Sequence, residues 1–487
     1  MSRHDPEFGS PIKVTAFVAA ILLGMLTLTL VWPNQNPHLG PVEIKWKNWG
    51  AFTRRQVVKQ VDLAALEAQR VRDSLQMLAL KNAEDSIRVL QILKSKNPAQ
   101  IHLPAGQPEL LDAIFAQLDS LEQQQQPAPL VRIMHWGDSQ IETDRISNAI
   151  RNVLQSRFGG IGPGFLPIQQ NIPSGLVNQT AAGDMQRFAL WDHAISSNKR
   201  HPQYGPLLSH TQMLAGTVDL KITKGSMATT ASGTFNQFRL LTGGRESELR
   251  MTTSTGHSEI LPAGAELQTF RWETPDSLRQ IQISVQCDSG GAVLYGVSLN
   301  GNSGVVVDNL PMRGCSGTLF TRAGSQSMAR GLSDLGADLL LLEFGGNSIP
   351  YLKQRSSLCS YAANIGRQID FLKRNRSEAA IIFLGPGDMA QFTDGRWQSY
   401  PILPEMVGIL KDTVLAHGAA YFDMMAAMGG VQSMVAWVEA SPPLATGDYI
   451  HFTSRGAGKM GRIFTDALMQ EYALYLSRKS AKTLLAE

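Results

Sequence analysis

Cysteine is scarce in this chain of 487 residues. The three cysteines are Cys287, Cys315 and Cys359, and no Cys-x-x-Cys or Cys/His spacing joins them. Three unclustered cysteines exclude a disulfide scaffold, in which several bridges compensate for a small hydrophobic core. The spacing does not indicate a zinc site either. We therefore expect neither a bound metal nor a cofactor.

An excess of one charge is also absent. The chain has 44 Lys and Arg against 41 Asp and Glu, a net charge of +3. Proteins dedicated to nucleic acids carry basic surfaces that neutralise phosphates, so this balance argues against a nucleic-acid partner. The hydrophobic fraction of 43% is typical of globular proteins, and the length suits two or three domains.

A long apolar run lies near the N-terminus. Val14–Trp32 contains 19 residues and no charge, and a helix needs about 20 apolar residues to cross a bilayer. Because no small-residue cleavage site follows, the run predicts an uncleaved membrane anchor, with a buried core helix as the alternative. Trp32, Trp46 and Trp49 would then lie at the membrane interface. Basic residues flank both ends, so charge alone does not fix the orientation.

Apolar residues then recur at helical spacing. They are Val57, Val61, Ala64, Ala68, Val71, Leu75 and Leu78. Alternating steps of four and three are typical of the a/d seam of a coiled coil. Two interpretations stay open: a coiled-coil stalk that joins copies of the chain into a homo-oligomer, or one amphipathic helix that lies on its own domain.

The sequence pattern changes between residues 211 and 300. Short segments in which apolar and polar residues alternate replace the helical spacing of apolar residues. Val218–Ile222, Leu278–Val285 and Val293–Leu299 are examples, and turns rich in Gly, Ser, Asp and Pro separate such segments. This spacing predicts an inserted β-sandwich or jelly roll. Trp272 follows Phe270 at alternating spacing, so we expect its ring in a core rather than on a sugar-binding surface.

A serine lies at one strand-to-helix corner. The apolar run Val131–Met134 is followed by Gly137-Asp138-Ser139, and a helical pattern begins at about Ile141. Open α/β sheets place their sites at the carboxyl ends of strands, which is a position suited to a nucleophile. Taken alone, a Gly-Asp-Ser turn that only caps a helix is the commoner interpretation.

Two further clusters have chemistry that complements a serine. Asp448 and His451 stand three residues apart just before a C-terminal helical pattern, and a serine nucleophile needs a histidine base held by a carboxylate. Asn347 follows an apolar strand that ends in Gly345-Gly346, and an asparagine there can donate to a developing oxyanion. Strands and helices alternate after residue 301, as in a doubly wound parallel sheet.

With these clusters in this order, the chain resembles the SGNH (GDSL-type) hydrolase superfamily. The first block of that superfamily matches Gly137-Asp138-Ser139, the third matches Gly345-x-Asn347, and the last matches Asp448-x-x-His451. The second block is a lone glycine, for which Gly314 fits best and Gly317 is the alternative. The matched segments cover roughly residues 130–164 and 305–474.

The resemblance implies an α/β fold with a serine nucleophile. Ser139 would attack an ester carbonyl, His451 would act as the base, and Asp448 would hold the imidazole. The oxyanion would be met by the Ser139 amide, the Gly314 amide and the Asn347 side chain.

The inserted β segment narrows the resemblance. Some SGNH enzymes that act on acetyl groups of bacterial cell walls or exopolysaccharides carry a β-sandwich in this place. The resemblance therefore implies a serine esterase that removes O-acetyl groups from peptidoglycan or an exported polysaccharide, with its catalytic domain on the periplasmic side of the cytoplasmic membrane. Two alternatives stay open: an O-acetyltransferase supplied by a membrane-bound O-acyltransferase, and a non-catalytic, membrane-tethered glycan-binding protein.

Nearby polar residues are assigned structural roles. We expect Asp138 to cap the helix after the serine and His135 to lie on the alternate face of its strand. Asp388 and Asp423, at other strand ends, are not assigned to the site. The segment Phe158–Phe165 (FGGIGPGF) has no GK[ST] continuation, so we expect a rigid loop at the cleft rim rather than a phosphate-binding loop.

The predicted organisation has five parts. They are 1–35, an N-terminal tail and transmembrane anchor; 36–100, a helical stalk; 101–210, the first part of the SGNH domain; 211–300, an inserted β-sandwich; and 301–487, the second part of the SGNH domain.

Overall fold

The structure, a computed structural model, describes residues 11–33, 38–39, 42–46, 63–192 and 203–486. It divides into two compact units, Met1–Ala79 and Leu80–Glu487. Three residues of the predicted anchor and stalk, Trp49, Val57 and Val61, lie outside the described residues.

The elements are numbered in chain order. The helices are α1 (Pro11–Val31), α2 (Leu63–Lys96), α3 (Asp112–Glu122), α4 (Arg145–Phe158), α5 (Ser325–Leu335), α6 (Arg355–Asn375), α7 (Leu403–Ala416), α8 (Met424–Met428), α9 (Ser433–Glu439) and α10 (Ser454–Ala486). The strands are β1 (His38–Leu39), β2 (Val42–Glu43), β3 (Ile101–His102), β4 (Leu130–Gly137), β5 (Gly164–Leu166), β6 (Val177–Ala182), β7 (Met185–Ala189), β8 (Ser209–Lys224), β9 (Phe235–Gly243), β10 (Leu249–Thr253), β11 (Ser258–Leu261), β12 (Gln268–Leu278), β13 (Gln280–Asn300), β14 (Gly304–Pro311), β15 (Ala337–Glu343), β16 (Ala380–Leu384), β17 (Ala390–Thr393), β18 (Arg396–Ser399) and β19 (Ala420–Phe422).

Helix α1 forms from the apolar run near the N-terminus. The helix has 21 residues and contains an 18-residue window of mean hydropathy 2.4, so by length and composition alone it is able to cross a membrane. The indole of Trp46 donates a hydrogen bond to the Thr29 hydroxyl at 3.1 Å, and its ring lies 6.4 Å from the ring of Trp32. Two tryptophans therefore lie together at the C-terminal end of α1.

Helix α2 covers most of the predicted stalk. Three residues of the predicted seam, Val71, Leu75 and Leu78, have exposed fractions of 58%, 61% and 56%. The helix continues through Asn82 and Asp85, which interrupt the heptad spacing. An exposed apolar stripe is expected of a coiled-coil strand that lacks its partner.

The core of the second unit is a six-stranded sheet in the order β14-β4-β15-β16-β19-β3. Its strands are parallel except for β3, which pairs antiparallel with β19 at one edge. Successive side chains point to opposite faces, so Ile133 enters one hydrophobic core and Met134 enters the other. The predicted α/β architecture with a parallel-sheet core is confirmed.

A nine-stranded antiparallel sheet of β5–β13 contains the segment 211–300. The sequence predicted two strands, Leu278–Val285 and Val293–Leu299, but they are parts of the single long strand β13. The prediction was wrong because the glycines near 290 form β-bulges instead of a turn. Trp272 is buried and its ring stacks on Phe238 at 4.8 Å, which confirms its expected place in a core.

A buried ion pair joins the two sheets. The Arg132 guanidinium on β4 donates to the Asp308 carboxylate on β14 at 2.7 Å, and to Ser298 and Asn300 on β13. The same carboxylate accepts the Phe165 amide of β5 at 2.8 Å. Both charged groups are fully buried, and neighbouring hydrogen bonds offset the cost of removing them from water.

The glycine-rich segment Phe158–Phe165 lies at this junction and not at the rim of the catalytic cleft. A Cβ on Gly160 would come within 2.3 Å of the Val305 carbonyl oxygen, and one on Gly162 within 2.2 Å of the Leu299 carbonyl oxygen. Glycine is required here because two backbones approach closely. The expectation of a cleft-rim loop was therefore wrong, since the spacing indicated rigidity but not its location.

Candidate active site

Ser139 begins a short 3₁₀ helix, Ser139–Asp144, directly after β4. Asp138 caps it as expected, since its side chain accepts the Gln140 amide at 2.9 Å. The continuous helix predicted from Ile141 was wrong, because Thr143 and Asp144 take left-handed conformations with φ of 56° and 62° and separate this turn from α4. Such conformations in residues other than glycine cost free energy and often occur at functional sites.

The predicted nucleophile, base and carboxylate form a hydrogen-bonded row. The Ser139 Oγ lies 2.7 Å from the His451 Nε2, and the His451 Nδ1 lies 2.7 Å from the Asp448 Oδ2. A carboxylate only accepts, so Nδ1 carries the proton and Nε2 is left to accept from the serine hydroxyl. The row can therefore move a proton from Ser139 to His451.

Asp448 is held as an anion although its side chain is 45% exposed. Partial burial acts to raise the pKa of Asp448, but hydrogen bonds from the Thr446 hydroxyl, the His451 ring and two backbone amides outweigh it and lower the pKa to about 2. The two amides, of Ile450 and His451, donate to Oδ1 at 2.9 and 3.0 Å. The loop thus fixes the carboxylate that orients the imidazole.

Two side chains beside the serine hold the histidine loop in place. The Gln140 amide group donates to the Ile450 carbonyl at 2.7 Å and accepts from the Phe452 amide at 3.2 Å. The Arg145 guanidinium donates to the carbonyls of Ser139, at 2.6 Å, and of Phe452, at 3.0 Å. Residues more than 300 positions apart are joined in this way. Neither side chain was predicted from the sequence.

The predicted oxyanion donors face the same cleft. Asn347 follows β15, the neighbour of β4 in the sheet, and Gly314 follows β14 on the other side. The Asn347 Nδ2 donates to the Asp138 Oδ2 at 2.8 Å and to the Cys315 carbonyl at 3.3 Å. Gly317, the alternative to Gly314, packs instead on the Phe344 ring, where an added Cβ would lie 2.6 Å from the nearest ring atom.

Asp138 differs sharply from Asp448. It is buried, and the loss of water raises its pKa to about 7, although hydrogen bonds from the Gln140 amide and the Asn347 side chain act in the opposite direction. The charge of Glu343 adds to the upward shift. Asp138 therefore does more than cap a helix, because its second carboxylate oxygen orients the Asn347 amide.

An ion pair lies at the rim of the cleft. Both carboxylate oxygens of Glu142 accept from the Arg313 guanidinium, each at 2.6 Å. Glu142 belongs to the turn after Ser139, and Arg313 immediately precedes Gly314. The pair thus connects the nucleophile turn with the loop of the candidate oxyanion glycine, and it was not predicted from the sequence.

The other polar residues near the blocks are structural. The buried His135 ring contacts the Ser147 hydroxyl at 2.9 Å and the Glu343 carboxylate at 3.1 Å, behind the sheet edge. Asp423 caps α8 through the Ala426 amide, and Asp388 accepts from the Ser399 hydroxyl. Within the described residues no group of three His, Cys, Asp or Glu side chains is arranged to hold a metal.

These side chains surround an open cleft of about 690 Å³. The residues that line it are Asp138, Ser139, Gln140, Glu142, Arg145, Arg313, Gly314, Gly346, Asn347, Pro350, Tyr351, Met389, Thr446, Asp448, Ile450 and His451. A space of this size accommodates much more than an acetyl group.

Comparison with solved structures identifies the fold. A peptidoglycan O-acetylesterase matches with a TM-score of 0.60 at 16% sequence identity, over 75% of this chain and 96% of that chain. The chain therefore shares the fold of that protein. No family model and no curated protein matches the sequence.

Two further solved structures match with lower TM-scores. A family two carbohydrate esterase from Cellvibrio japonicus matches at 12% identity and a TM-score of 0.22, over 61% of this chain and 98% of that chain. The periplasmic domain of a lipopolysaccharide acetyltransferase from Salmonella ser. Paratyphi A matches at 12% identity and a TM-score of 0.26, over 34% of this chain and 74% of that chain. TM-scores of 0.22 and 0.26 support no further conclusion about this chain.

Proposed function

We propose that this chain is a serine esterase that removes O-acetyl groups from a cell-envelope glycan, either peptidoglycan or an exported polysaccharide. The observation that carries the proposal is the row Ser139–His451–Asp448, in which both contacts measure 2.7 Å. The SGNH-type fold, shared with a peptidoglycan O-acetylesterase, supports the choice of substrate class.

The reaction would proceed through an acyl-enzyme. The Ser139 oxygen attacks the acetyl carbonyl carbon while His451 Nε2 takes the hydroxyl proton, and Asp448 stabilises the imidazolium. The bond between the carbonyl carbon and the sugar oxygen then breaks, and His451 gives the proton to the departing oxygen, which leaves as a sugar hydroxyl. Water repeats the sequence on the acetyl-serine and releases acetate.

The developing oxyanion would be met by three donors: the amides of Ser139 and Gly314 and the side chain of Asn347. The Asn347 amide group has two hydrogens, and the one directed at the Cys315 carbonyl is held at 3.3 Å, more loosely than the one on Asp138 at 2.8 Å. We assign the looser hydrogen to the oxyanion. One such donor is typically worth about 3 kcal/mol of barrier.

Hydrolysis and transfer share the acyl-enzyme and differ in what accepts the acetyl group. The cleft is open, and the Asp448 side chain beside His451 is 45% exposed, so water reaches the acetyl-serine. This exposure favours the esterase over an O-acetyltransferase that takes acetyl groups from a membrane-bound O-acyltransferase.

The test is to incubate the detergent-solubilised full-length chain with 4-nitrophenyl acetate, with and without short glycan acceptors. Free acetate should form at the same rate as 4-nitrophenol. If acetylated glycan forms faster than free acetate, the chain is a transferase. If Ser139 is not labelled by a fluorophosphonate and no ester is cleaved, the chain is a non-catalytic glycan-binding protein.

We also propose that α1 anchors the chain in the cytoplasmic membrane, with the catalytic unit on the periplasmic side, and that the exposed seam of α2 joins copies of the chain. Trp32 and Trp46, together at one end of α1, suit a membrane interface. Protease added to spheroplasts should degrade the catalytic unit, whereas a fully protected chain would reverse the topology.

The insert 211–300 is proposed as a jelly-roll-like unit that lies between the two parts of the SGNH domain, residues 101–210 and 301–487. Substitution of its exposed apolar side chains, compared with substitution of exposed aromatic rings at the cleft, tests whether the insert contributes to glycan binding.

A further inference from the structure

Exposed aromatic rings are rare in this protein, and their distribution is uneven. Among the described residues outside helix α1, the aromatic side chains that are more than about a third exposed are Tyr351 and Phe392, with exposed fractions of 81% and 62%. Burying a ring of this size releases water from a large apolar area, so leaving it exposed forgoes stability. Tyr351 lines the catalytic cleft, and Phe392 lies on a hairpin that begins directly after Met389, another residue that lines the cleft.

Tyr351 lies on the Asn347 side of the cleft. It ends the 3₁₀ helix Gly346–Tyr351, which begins immediately before Asn347, and it is one of the residues that line the cleft. Tyr351 therefore follows Asn347, whose side chain is assigned to the oxyanion, by four residues in the sequence.

Phe392 lies on the histidine side, on the hairpin formed by β17 and β18. Asp394 and Gly395, with φ of 55° and 75°, form the two-residue turn that this hairpin requires. Phe392 pairs across the hairpin with Trp397, with ring centroids 5.5 Å apart. Trp397 in turn stacks on Tyr449 at 3.9 Å, with an angle of 11° between the ring planes.

Tyr449 joins this hairpin to the catalytic loop. It lies between Asp448 and His451, and its carbonyl accepts the Ala390 amide at the start of β17, at 3.1 Å. At the base of the hairpin, the Ser399 hydroxyl donates to the buried Asp388 at 2.8 Å. Phe392 is thus held on a fixed element whose other end contacts the histidine loop.

The insert presents no comparable ring. Its aromatic side chains are all buried: Phe235, Phe238, Phe270, Trp272 and Tyr295. Within the described residues, the insert therefore lacks the exposed aromatic surface on which a sugar ring stacks.

We propose that Tyr351 and Phe392 bind the glycan chain, one on each side of the acetyl-bearing sugar. The inference rests on the proposed function and deepens it, since it assigns polymer recognition to the catalytic domain and not to the insert. Pyranose rings present flat C–H faces that pack on aromatic rings, while their hydroxyl edges stay in water. The cleft of about 690 Å³ holds the reacting sugar, and the two rings support its neighbours along the chain.

The test measures kcat/KM for full-length Tyr351→Ala and Phe392→Ala on two substrates. One is 4-nitrophenyl acetate, and the other is whichever of O-acetylated peptidoglycan and O-acetylated xylan the unaltered protein deacetylates faster. We expect each variant to lose roughly three- to tenfold on the polymer and less than about twofold on the small ester. Remote binding contacts help only the substrate that reaches them.

Matched controls separate a binding ring from a folding effect. Tyr351→Phe and Phe392→Tyr keep the rings and should retain the polymer activity. Ile260→Ala removes an apolar side chain of the insert that has an exposed fraction of 47%. It should leave kcat/KM unchanged on both substrates. The melting temperature of each variant verifies that the fold is intact.

The outcomes are distinct. Polymer activity that both alanine variants retain, or equal losses on both substrates, would overturn the assignment of the rings while leaving the esterase proposal intact. A loss on the polymer with Ile260→Ala, but not with the cleft variants, would move glycan binding to the insert. An unaltered protein that cleaves neither polymer would instead overturn the proposed function, and the assignment with it.

Discussion

Two aspartates contact the catalytic residues, and their surroundings shift the pKa of the side-chain carboxyl group in opposite directions. Asp448, on the His451 side, is nearly half exposed and accepts hydrogen bonds that lower its pKa to about 2. Asp138, on the Asn347 side, is buried, and the loss of water raises its pKa to about 7. Four donors stabilise the first anion, whereas two donors do not compensate the second for burial.

The difference separates two tasks. A permanently charged Asp448 stabilises the imidazolium that forms on His451 during the reaction. Asp138 contacts no group that gains a proton, and what it supplies is the orientation of the Asn347 amide. The row that moves the proton is therefore open to solvent, whereas the carboxyl group that orients the oxyanion donor is buried, where its hydrogen bonds are electrostatically stronger. Substitutions on the two sides should accordingly differ in their effects.

The largest effect should come from Ser139→Ala, where the two sides meet. Removing the nucleophile should lower kcat on acetyl esters by several orders of magnitude, on the order of 10⁶-fold. The melting temperature should stay within a few degrees of the unaltered value, because the hydroxyl lies at the edge of an open cleft. Labelling by a fluorophosphonate measures the same change independently of turnover. Undiminished turnover in the variant would remove Ser139 from the mechanism.

On the exposed side, Asp448→Asn should lower kcat on the order of 10⁴-fold. The asparagine amide would donate to the His451 Nδ1, which leaves the proton on Nε2, where it cannot accept from Ser139. Thr446→Val is the matched control, because it removes one hydrogen bond to the carboxylate, of 2.6 Å, and keeps the charge. Its loss should be far smaller, and equal losses in the two variants would show that the loop's geometry matters rather than the charge.

On the buried side, Asp138→Asn should lower kcat by roughly ten- to a hundredfold by disturbing one oxyanion donor. Its clearest signature is in stability. The pKa of Asp138 is higher in the folded protein than in the unfolded chain. Its contribution to the free energy of unfolding is therefore fully present below about pH 4 and is lost as the pH rises to about 7. Relative to the unaltered protein, the variant should therefore gain stability as the pH rises from about 4 to about 7.

Thermal melts of both proteins across that range would measure this change. The contribution of Asp448 to stability depends on pH in the opposite direction, because it is lost only as the pH falls from about 4 towards 2. A difference in stability between Asp138→Asn and the unaltered protein that does not vary with pH would show that burial does not raise the pKa of Asp138.

The contrast also shows what the sequence was able to predict. Ser139, Asn347, Asp448 and His451 were predicted because each stands at a strand end or before a helix, in an order that matches a known superfamily. The parallel sheet was predictable for a similar reason, since its strands are short and mainly apolar.

Side-chain contacts to distant main-chain atoms were not predictable. Gln140 and Arg145 bond to carbonyl and amide groups more than 300 residues away, and a backbone group gives no signal in the sequence. The pKa of Asp138 is raised by burial in the folded protein, which the sequence does not show, so Asp138 was predicted only to cap a helix. The single long strand β13 was missed because its glycines indicate turns and bulges equally well.

The smallest effect should come from the ion pair that links the two sides of the cleft. Arg313 is 65% exposed at its side chain but Glu142 only 10%, so Arg313→Ala leaves a largely buried carboxylate without its partner and should cost about 1 to 3 kcal/mol of stability. Its effect on kcat/KM should be two- to tenfold, because the loop of Gly314 then loses its tie to the turn of Ser139. Arg313→Lys keeps a charge but not the paired geometry, and should recover only part of the loss. Raising the salt concentration should lower kcat/KM of the unaltered protein slightly and leave kcat/KM of the alanine variant unchanged. A salt response that is the same in both proteins would show that this ion pair does not position Gly314.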